Sequence, residues 1–115
     1  MTSLTRSIAA FAAGFSTQAF PSASFVLARE AFVDLVGVML AGANEPVVPL
    51  LKKITATQSA GTACSVLLDD GVRRNAMAAA LINGTAAHAL DFDDVQFNAH
   101  PSTVLVPAIL AEAER

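Results

Sequence analysis

Phe25, Ala28, Phe32, Leu35, Met39 and Gly42 recur at alternating steps of three and four residues. That spacing puts side chains on one face of an α-helix, and it predicts a helix over 22–43. Glu30 and Asp34 lie four apart on the opposite side, facing water. Gly37 stands in mid-helix, where glycine costs about 1 kcal/mol relative to alanine. Its presence there suggests that another backbone approaches closely at that point.

Similar reasoning segments the rest of the chain. A first helix is expected over 4–15, with Ser3 or Thr2 able to cap it, and a linker over 16–21. Gly42 to Pro46 ends the second helix. A third starts near Pro46, with Val47, Leu50, Leu51 and Ile54 on one face and Lys52 and Lys53 outward. Gly61 opens a short β-like piece over 63–68. Asp69-Asp70-Gly71 is turn chemistry, after which Val72-Arg73-Arg74 can return as a small hairpin. Asn75 can cap a fourth helix reaching Leu90, and its many alanines permit tight packing. An irregular loop follows over 91–101. From about Ser102 the chain turns helical again to Arg115, with Pro107 expected in or just after the first turn. Met77, Leu81, Gly84 and His88 share one stripe of the fourth helix, so His88 is expected to point where core side chains point. The fold class is therefore mainly α, a bundle-like part of a larger all-α domain with at most one small β-hairpin near 63–74.

Composition narrows what this bundle can be. The 115 residues allow one domain at most. Hydrophobic residues make up 54% and charged residues only 15%, against about 25% charged in typical soluble domains. The excess apolar surface needs a cover: lipid, a partner chain, or further protein. Lipid is the weakest candidate, because Arg29, Glu30 and Asp34 interrupt the longest apolar stretch. The first 23 residues mimic a secretory leader, but an amphipathic first helix explains the same residues. The single Cys64 cannot form an intrachain disulfide and suits a reducing compartment. Within an apolar run it reads as a buried filler rather than a nucleophile. A net charge of −3 with scattered Lys and Arg leaves no basic footprint for nucleic acid. The last helix has no stop signal, so the chain reads as cut rather than finished.

The chemistry is concentrated in one stretch. Asp91, Asp93 and Asp94 lie within four positions, and the chain's two histidines, His88 and His100, bracket them. Carboxylates beside imidazoles are the groups that move protons near neutral pH. Asp91 is either a carboxylate aimed into a pocket or a helix-end residue binding loop amides. Asp93 and Asp94 read first as ligands for backbone N–H groups or as solvated charges, with a role in the site as the alternative. His100 precedes Pro101 and so favours an extended backbone. It also stands before a helix whose N-terminal amides, with Ser102, can hold a substrate carboxylate. His88 reads as a hydrogen-bonded core histidine. The spacing of the acids and histidines matches no strong metal-ligand signature, and neither an EF-hand nor a Gly-rich phosphate loop is present.

Three motifs in order carry a resemblance. Residues 32–42 (FVDLVGVMLAG), 79–94 (AALINGTAAHALDFDD) and His100-Pro101-Ser102 resemble the MmgE/PrpD family, which includes 2-methylcitrate dehydratase, cis-aconitate decarboxylase and related epimerases. The resemblance covers nearly all of the chain and implies that residues 1–115 are the N-terminal part of a large helical domain. A second, α/β domain and later basic catalytic residues are then absent. It implies a cytoplasmic, homodimeric lyase or isomerase that acts on small di- or tricarboxylates without a metal or other cofactor. Membrane and nucleic acid are not expected partners. By similarity, Asp91 and His100 match active-site positions of the family, and Asp94 lies at the pocket edge. One departure is Val95, where the decarboxylase and methylcitrate branches carry a Thr. That loss of a hydroxyl puts those two substrates in doubt. No convincing cationic cluster accompanies the acids, so the fragment alone is expected to be inactive. The alternative from another class is a small helical interaction module, or a non-catalytic remnant, whose apolar stripes bind a partner.

Overall fold

The computed structural model describes residues 3–16, 20–57, 63–67, 69 and 71–115. The element order is α1 (Leu4–Ala13), α2 (Ser22–Gly42), α3 (Val47–Thr55), β1 (Cys64–Ser65), β2 (Arg73–Arg74), α4 (Ala76–His88) and α5 (Pro101–Glu114). The mainly α expectation holds. The two short strands pair antiparallel, Cys64 with Arg74 and Ser65 with Arg73, which is the small hairpin expected near 63–74. Gly61, Leu68 and Asp70, which figured in that expectation, lie outside the described residues.

Helix starts follow local chemistry. Ser3 caps α1, its hydroxyl accepting from the Arg6 N–H at 3.3 Å. Asn75 caps α4, its side-chain oxygen accepting from the Ala78 N–H at 2.8 Å. Each satisfies one of the donors that a helix N-terminus leaves unpaired. Pro21 and Pro46 precede α2 and α3 without a side-chain cap.

Helix α4 is the centre of the fold. It packs against α2, α3 and α5, and both strands touch it. Its core face is Ala78, Ala79, Ile82, Asn83, Ala86 and Ala87. One side of that face joins Val48 and Cys64 with Val66 and Ala111; the other joins Leu35, Met39 and Val106. Of the stripe expected to face the core, Met77, Leu81 and His88 point outward, Met77 81% and Leu81 49% exposed, and only Gly84 meets another helix. Apolar residues surround α4 on all sides, so periodicity could not select the buried face. The small side chains occupy it because they let neighbouring helices come close.

Two glycines mark those close approaches, and neither is Gly37. Gly37 is exposed, with nothing within 4 Å of where a Cβ would stand. Gly42, at the end of α2, lies directly on the Ala86 carbonyl, where a Cβ would collide with backbone. Gly84 lies on α5, where a Cβ would come 2.9 Å from the Thr103 carbonyl oxygen. That carbonyl lacks its usual helical donor, because the residue four further on is Pro107, which has no N–H. Pro107 thus stands in the second turn of α5, deeper than the sequence suggested, and is buried against α4.

A polar clamp fixes the hairpin. The buried Asn83 accepts from the Leu67 N–H and donates to the Ser65 carbonyl, both at 3.0 Å. On the far side, Glu114 accepts from the Ser65 N–H and hydroxyl, and the Cys64 thiol donates to the Ala111 carbonyl at 3.1 Å. Cys64 is fully buried, as its apolar surroundings predicted.

At the other end, α1 has no buried residue and packs on no other element among those described. It joins α2 through a ladder of rings: Phe11 to Phe15 at 5.3 Å, Phe15 to Phe20 at 4.4 Å and Phe20 to Phe25 at 5.7 Å. Phe25 and Ala28, the early part of the α2 stripe, stay exposed while Leu35, Met39 and Gly42 are buried. Among the described residues no helix is long and apolar enough to cross a membrane.

The glycine contacts set opposite outcomes for one substitution. Gly37→Ala should raise stability by about 1 kcal/mol, the helix-propensity gain with no steric cost. Gly42→Ala should lower it by about 1–3 kcal/mol through overpacking against Ala86. Thermal melting of the two variants checks this, and a Gly37→Ala protein that melts lower than the unsubstituted one would contradict the packing described.

Candidate active site

The segment between α4 and α5 is short, and both of its ends are held. Asp91 follows the last turn of α4 with φ 56°, and its N–H donates to the His88 carbonyl at 3.1 Å. A tight turn is closed by reciprocal hydrogen bonds between Gln96 and Ala99, at 2.8 and 2.9 Å. Phe97 and Asn98 both adopt positive φ at its tip, the pattern of a type I′ turn. At the far end, the Asp94 carboxylate accepts from the Ser102 N–H at 3.1 Å. That contact caps α5 and places a negative charge at the helix's positive end. The Thr103 hydroxyl donates to the His100 carbonyl at 2.8 Å, completing the turn into the helix.

With the loop pinned in this way, Asp93 is directed inward. Its side chain is completely buried and bridges the two imidazoles: Oδ1 lies 3.0 Å from His88 Nδ1, and Oδ2 lies 2.8 Å from His100 Nδ1. The rings meet edge to face, with centroids 4.4 Å apart. Burial pushes the Asp93 carboxyl upward, but hydrogen bonds from His88 and His100 outweigh it, aided by a backbone hydrogen bond and the His100 charge. The group is held below its ordinary value of 3.8 and is ionised at neutral pH.

The predicted site residues divide between two places. Asp91 and His100 are neighbours: Asp91 Oδ1 is 3.9 Å from Nδ1 of His100 and also 3.9 Å from that of His88. Asp91 is largely exposed, reaching towards solvent rather than binding loop amides with its carboxylate. Asp94 and Ser102 hold each other, so the Ser102 N–H suggested for a substrate carboxylate is already engaged by Asp94. His88 is not a core residue; its side chain is half exposed. For Asp93 the sequence favours a loop ligand or solvated charge over a role in the site, and the structure makes it the group that organises the cluster.

His88 also borders a cavity of about 540 Å³ between the start of α3, α4 and α5, lined by Val47, Leu81, Gly84, Thr85 and Val104. The polar cluster meets an apolar hollow at His88. His88, Asp91, Asp93 and His100 each place one potential ligand atom within 4.8 Å of the others, close enough in size for a divalent ion. Hydrogen bonding already accounts for the geometry, because each Asp93 oxygen faces one Nδ1 at normal hydrogen-bond length. Among the described residues, no ion pair brings a Lys or Arg to Asp91, Asp93 or Asp94. Lys52 pairs with Asp69 at 3.3 Å, and Arg73 donates to the Ala63 carbonyl.

The buried carboxylate has a consequence for pH. Because the folded protein holds Asp93 below 3.8, its contribution to stability is present above the unfolded carboxyl pKa of about 3.9 and is lost as pH falls through the folded value. Melting temperature should therefore drop on acidification below about pH 4, and Asp93→Asn should melt lower at neutral pH with a flatter acid limb. Glu114, held below its ordinary value by the Ser65 hydrogen bonds, acts in the same direction in both proteins. The difference between the two melting curves isolates Asp93, and parallel acid limbs would count against its charged, bridging role.

The comparisons with known proteins agree with the motifs. No curated protein matches the chain at a significant level. The MmgE/PrpD N-terminal domain profile matches residues 6–115, which takes in every helix but the first two residues of α1, and the whole histidine–aspartate cluster. The chain belongs to the MmgE/PrpD N-terminal domain family.

Proposed function

We propose that this chain carries the proton-transfer part of a cofactor-free lyase or isomerase for small di- or tricarboxylates. The observation that supports this reading best is the imidazole of His100, held by a buried carboxylate at a helix N-terminus and flanked by Asp91. Removing a proton next to a carboxylate needs a base of near-neutral pKa, and histidine is that side chain. In this reading His100 takes or returns the proton, and Asp91 is its acidic neighbour on the open side. Asp94 and Ser102 form the pocket edge by fastening the loop to α5. The 540 Å³ hollow beside His88 is of a size that small-molecule sites use.

A dianionic intermediate needs cations to steady it, and this cluster contains none among the described residues. Those groups come from outside the cluster in this reading, so the chain by itself is not expected to turn over substrate. The exposed apolar side chains of α1 and early α2 support a covered face in the working protein, and a cytoplasmic homodimer is the form we propose. Val95 stands 65% exposed at the loop. Its lack of a hydroxyl favours members of the family other than the decarboxylase and methylcitrate branches.

Two measurements in the full-length protein, across a panel of di- and tricarboxylates, test the reading. His100→Ala should lower kcat by about 10²–10⁴-fold while leaving the protein folded, and Asp91→Asn should also lose activity without losing its melting transition. Near-normal turnover by His100→Ala would defeat the assignment. Extensive treatment with a chelator should leave turnover unchanged; a loss restored by a divalent ion would replace the cofactor-free reading with a metal-dependent one.

A further inference from the structure

Each Asp93 oxygen is engaged by a different imidazole, Oδ1 by His88 Nδ1 and Oδ2 by His100 Nδ1. An ionised carboxylate only accepts hydrogen bonds, so at both contacts the ring nitrogen donates. A neutral imidazole that carries its proton on Nδ1 has a bare Nε2. The contact that makes His100 a base therefore does the same for His88. His88 is half exposed and borders the cavity, so a small molecule can reach its ring. The two rings lie 4.4 Å apart, within the span of one small substrate.

We propose that His88 is a second proton-transfer residue of this site, paired with His100 through Asp93, which is the positioning residue for both. The proposal rests on the lyase or isomerase reading and extends it from one base to two. A proton leaving a substrate C–H or O–H arrives at Nε2 of one ring, and the bonding electron pair stays on the substrate. The new imidazolium keeps its Nδ1–H on the Asp93 carboxylate, so the positive charge forms beside a fixed negative one. The proton then returns from that Nε2 to the substrate atom that completes the reaction. With the ring centroids 4.4 Å apart, either imidazole can serve a substrate bound beside the pair.

Asp91 and Asp93 are the acids within 4 Å of either imidazole among the described residues. On the elements packed against α4, Lys52 of α3 pairs with Asp69, while Glu112 and Glu114 of α5 engage Arg115 and Ser65. Arg29, Glu30 and Asp34 of α2 line a separate surface hollow.

Asparagine at position 93 separates this proposal from a merely structural role for His88. Its amide offers one acceptor and one NH₂ donor, so only one ring can keep Nδ1–H. The other must turn a bare Nδ1 to the amide, carry its proton on Nε2 and cease to be a base. Ring ¹⁵N chemical shifts, assigned with single-histidine variants at about pH 8.5, above the usual imidazole range, report the tautomers directly. Both rings should be Nδ1–H in the unsubstituted protein, and one should switch in Asp93→Asn. Alongside this, Asp93→Asn and His88→Gln in the full-length protein should each lower kcat by about 10²-fold or more, with a smaller change in KM. An Nε2–H tautomer on His88 in the unsubstituted protein, or near-normal kcat in His88→Gln, overturns the proposal. If Asp93→Asn does not fold, the unsubstituted tautomers and His88→Gln decide the matter. If the unsubstituted full-length protein turns over no polycarboxylate, the proposed function fails, and the tautomers still decide whether His88 presents a bare Nε2.

Discussion

Backbone-to-backbone packing of α4 between α2 and α5 is the constraint on which the other features rest. At Gly42 the end of α2 touches the Ala86 carbonyl, and at Gly84 the α4 backbone meets the Thr103 carbonyl of α5. Such approaches are possible only where a Cβ is missing, and they place many atoms at van der Waals distance, where individually small dispersion terms add up. The alanines of α4 serve the same end. Because α4 and α5 are fixed against each other in this way, the end of one and the start of the other stand at a set separation. The loop that joins them therefore has little freedom, and the site is built on that loop.

Within the loop, three acids that look alike in sequence do three different things. Asp94 neutralises the N-terminus of α5 and ties the loop to the helix. Asp93 is buried, where an unpaired charge would be costly, and it is stable there because two imidazole N–H groups satisfy its oxygens. Asp91 remains in solvent, close to both rings but bonded to neither. This division follows from the side to which each residue is turned by a chain pinned at both ends. It produces a fixed anion behind two imidazoles and an exposed one in front of them.

Much of the architecture was readable locally. The start of α1 follows from Ser3 and that of α4 from Asn75, because a cap is a hydrogen bond between residues three apart in the chain. The antiparallel pair of β1 and β2 follows from turn residues between two short runs. The chemistry could be placed at 88–102 because both histidines and three of the ten acids fall there. Misreadings arose where local rules are silent. Gly37 was read as a contact glycine, yet it faces open space while Gly42 and Gly84 make the contacts. His88 was assigned to the core because it shares a stripe with Met77 and Leu81, and that stripe faces outward.

The amino-acid sequence by itself determined where helices begin and end, that the fold is helical, which family the chain belongs to, and which short segment carries the acid–base groups. All of these depend on residues a few positions apart or on motifs read in order. Only the tertiary structure decided which face of α4 is buried, which glycines meet a neighbouring backbone, and which of three neighbouring aspartates turns inward to join two histidines twelve residues apart. The reason is that a helix apolar on every side has no intrinsic inside. Its orientation is chosen by the closest approach of other helices, and the side chains of the adjoining loop take the directions that this approach leaves open.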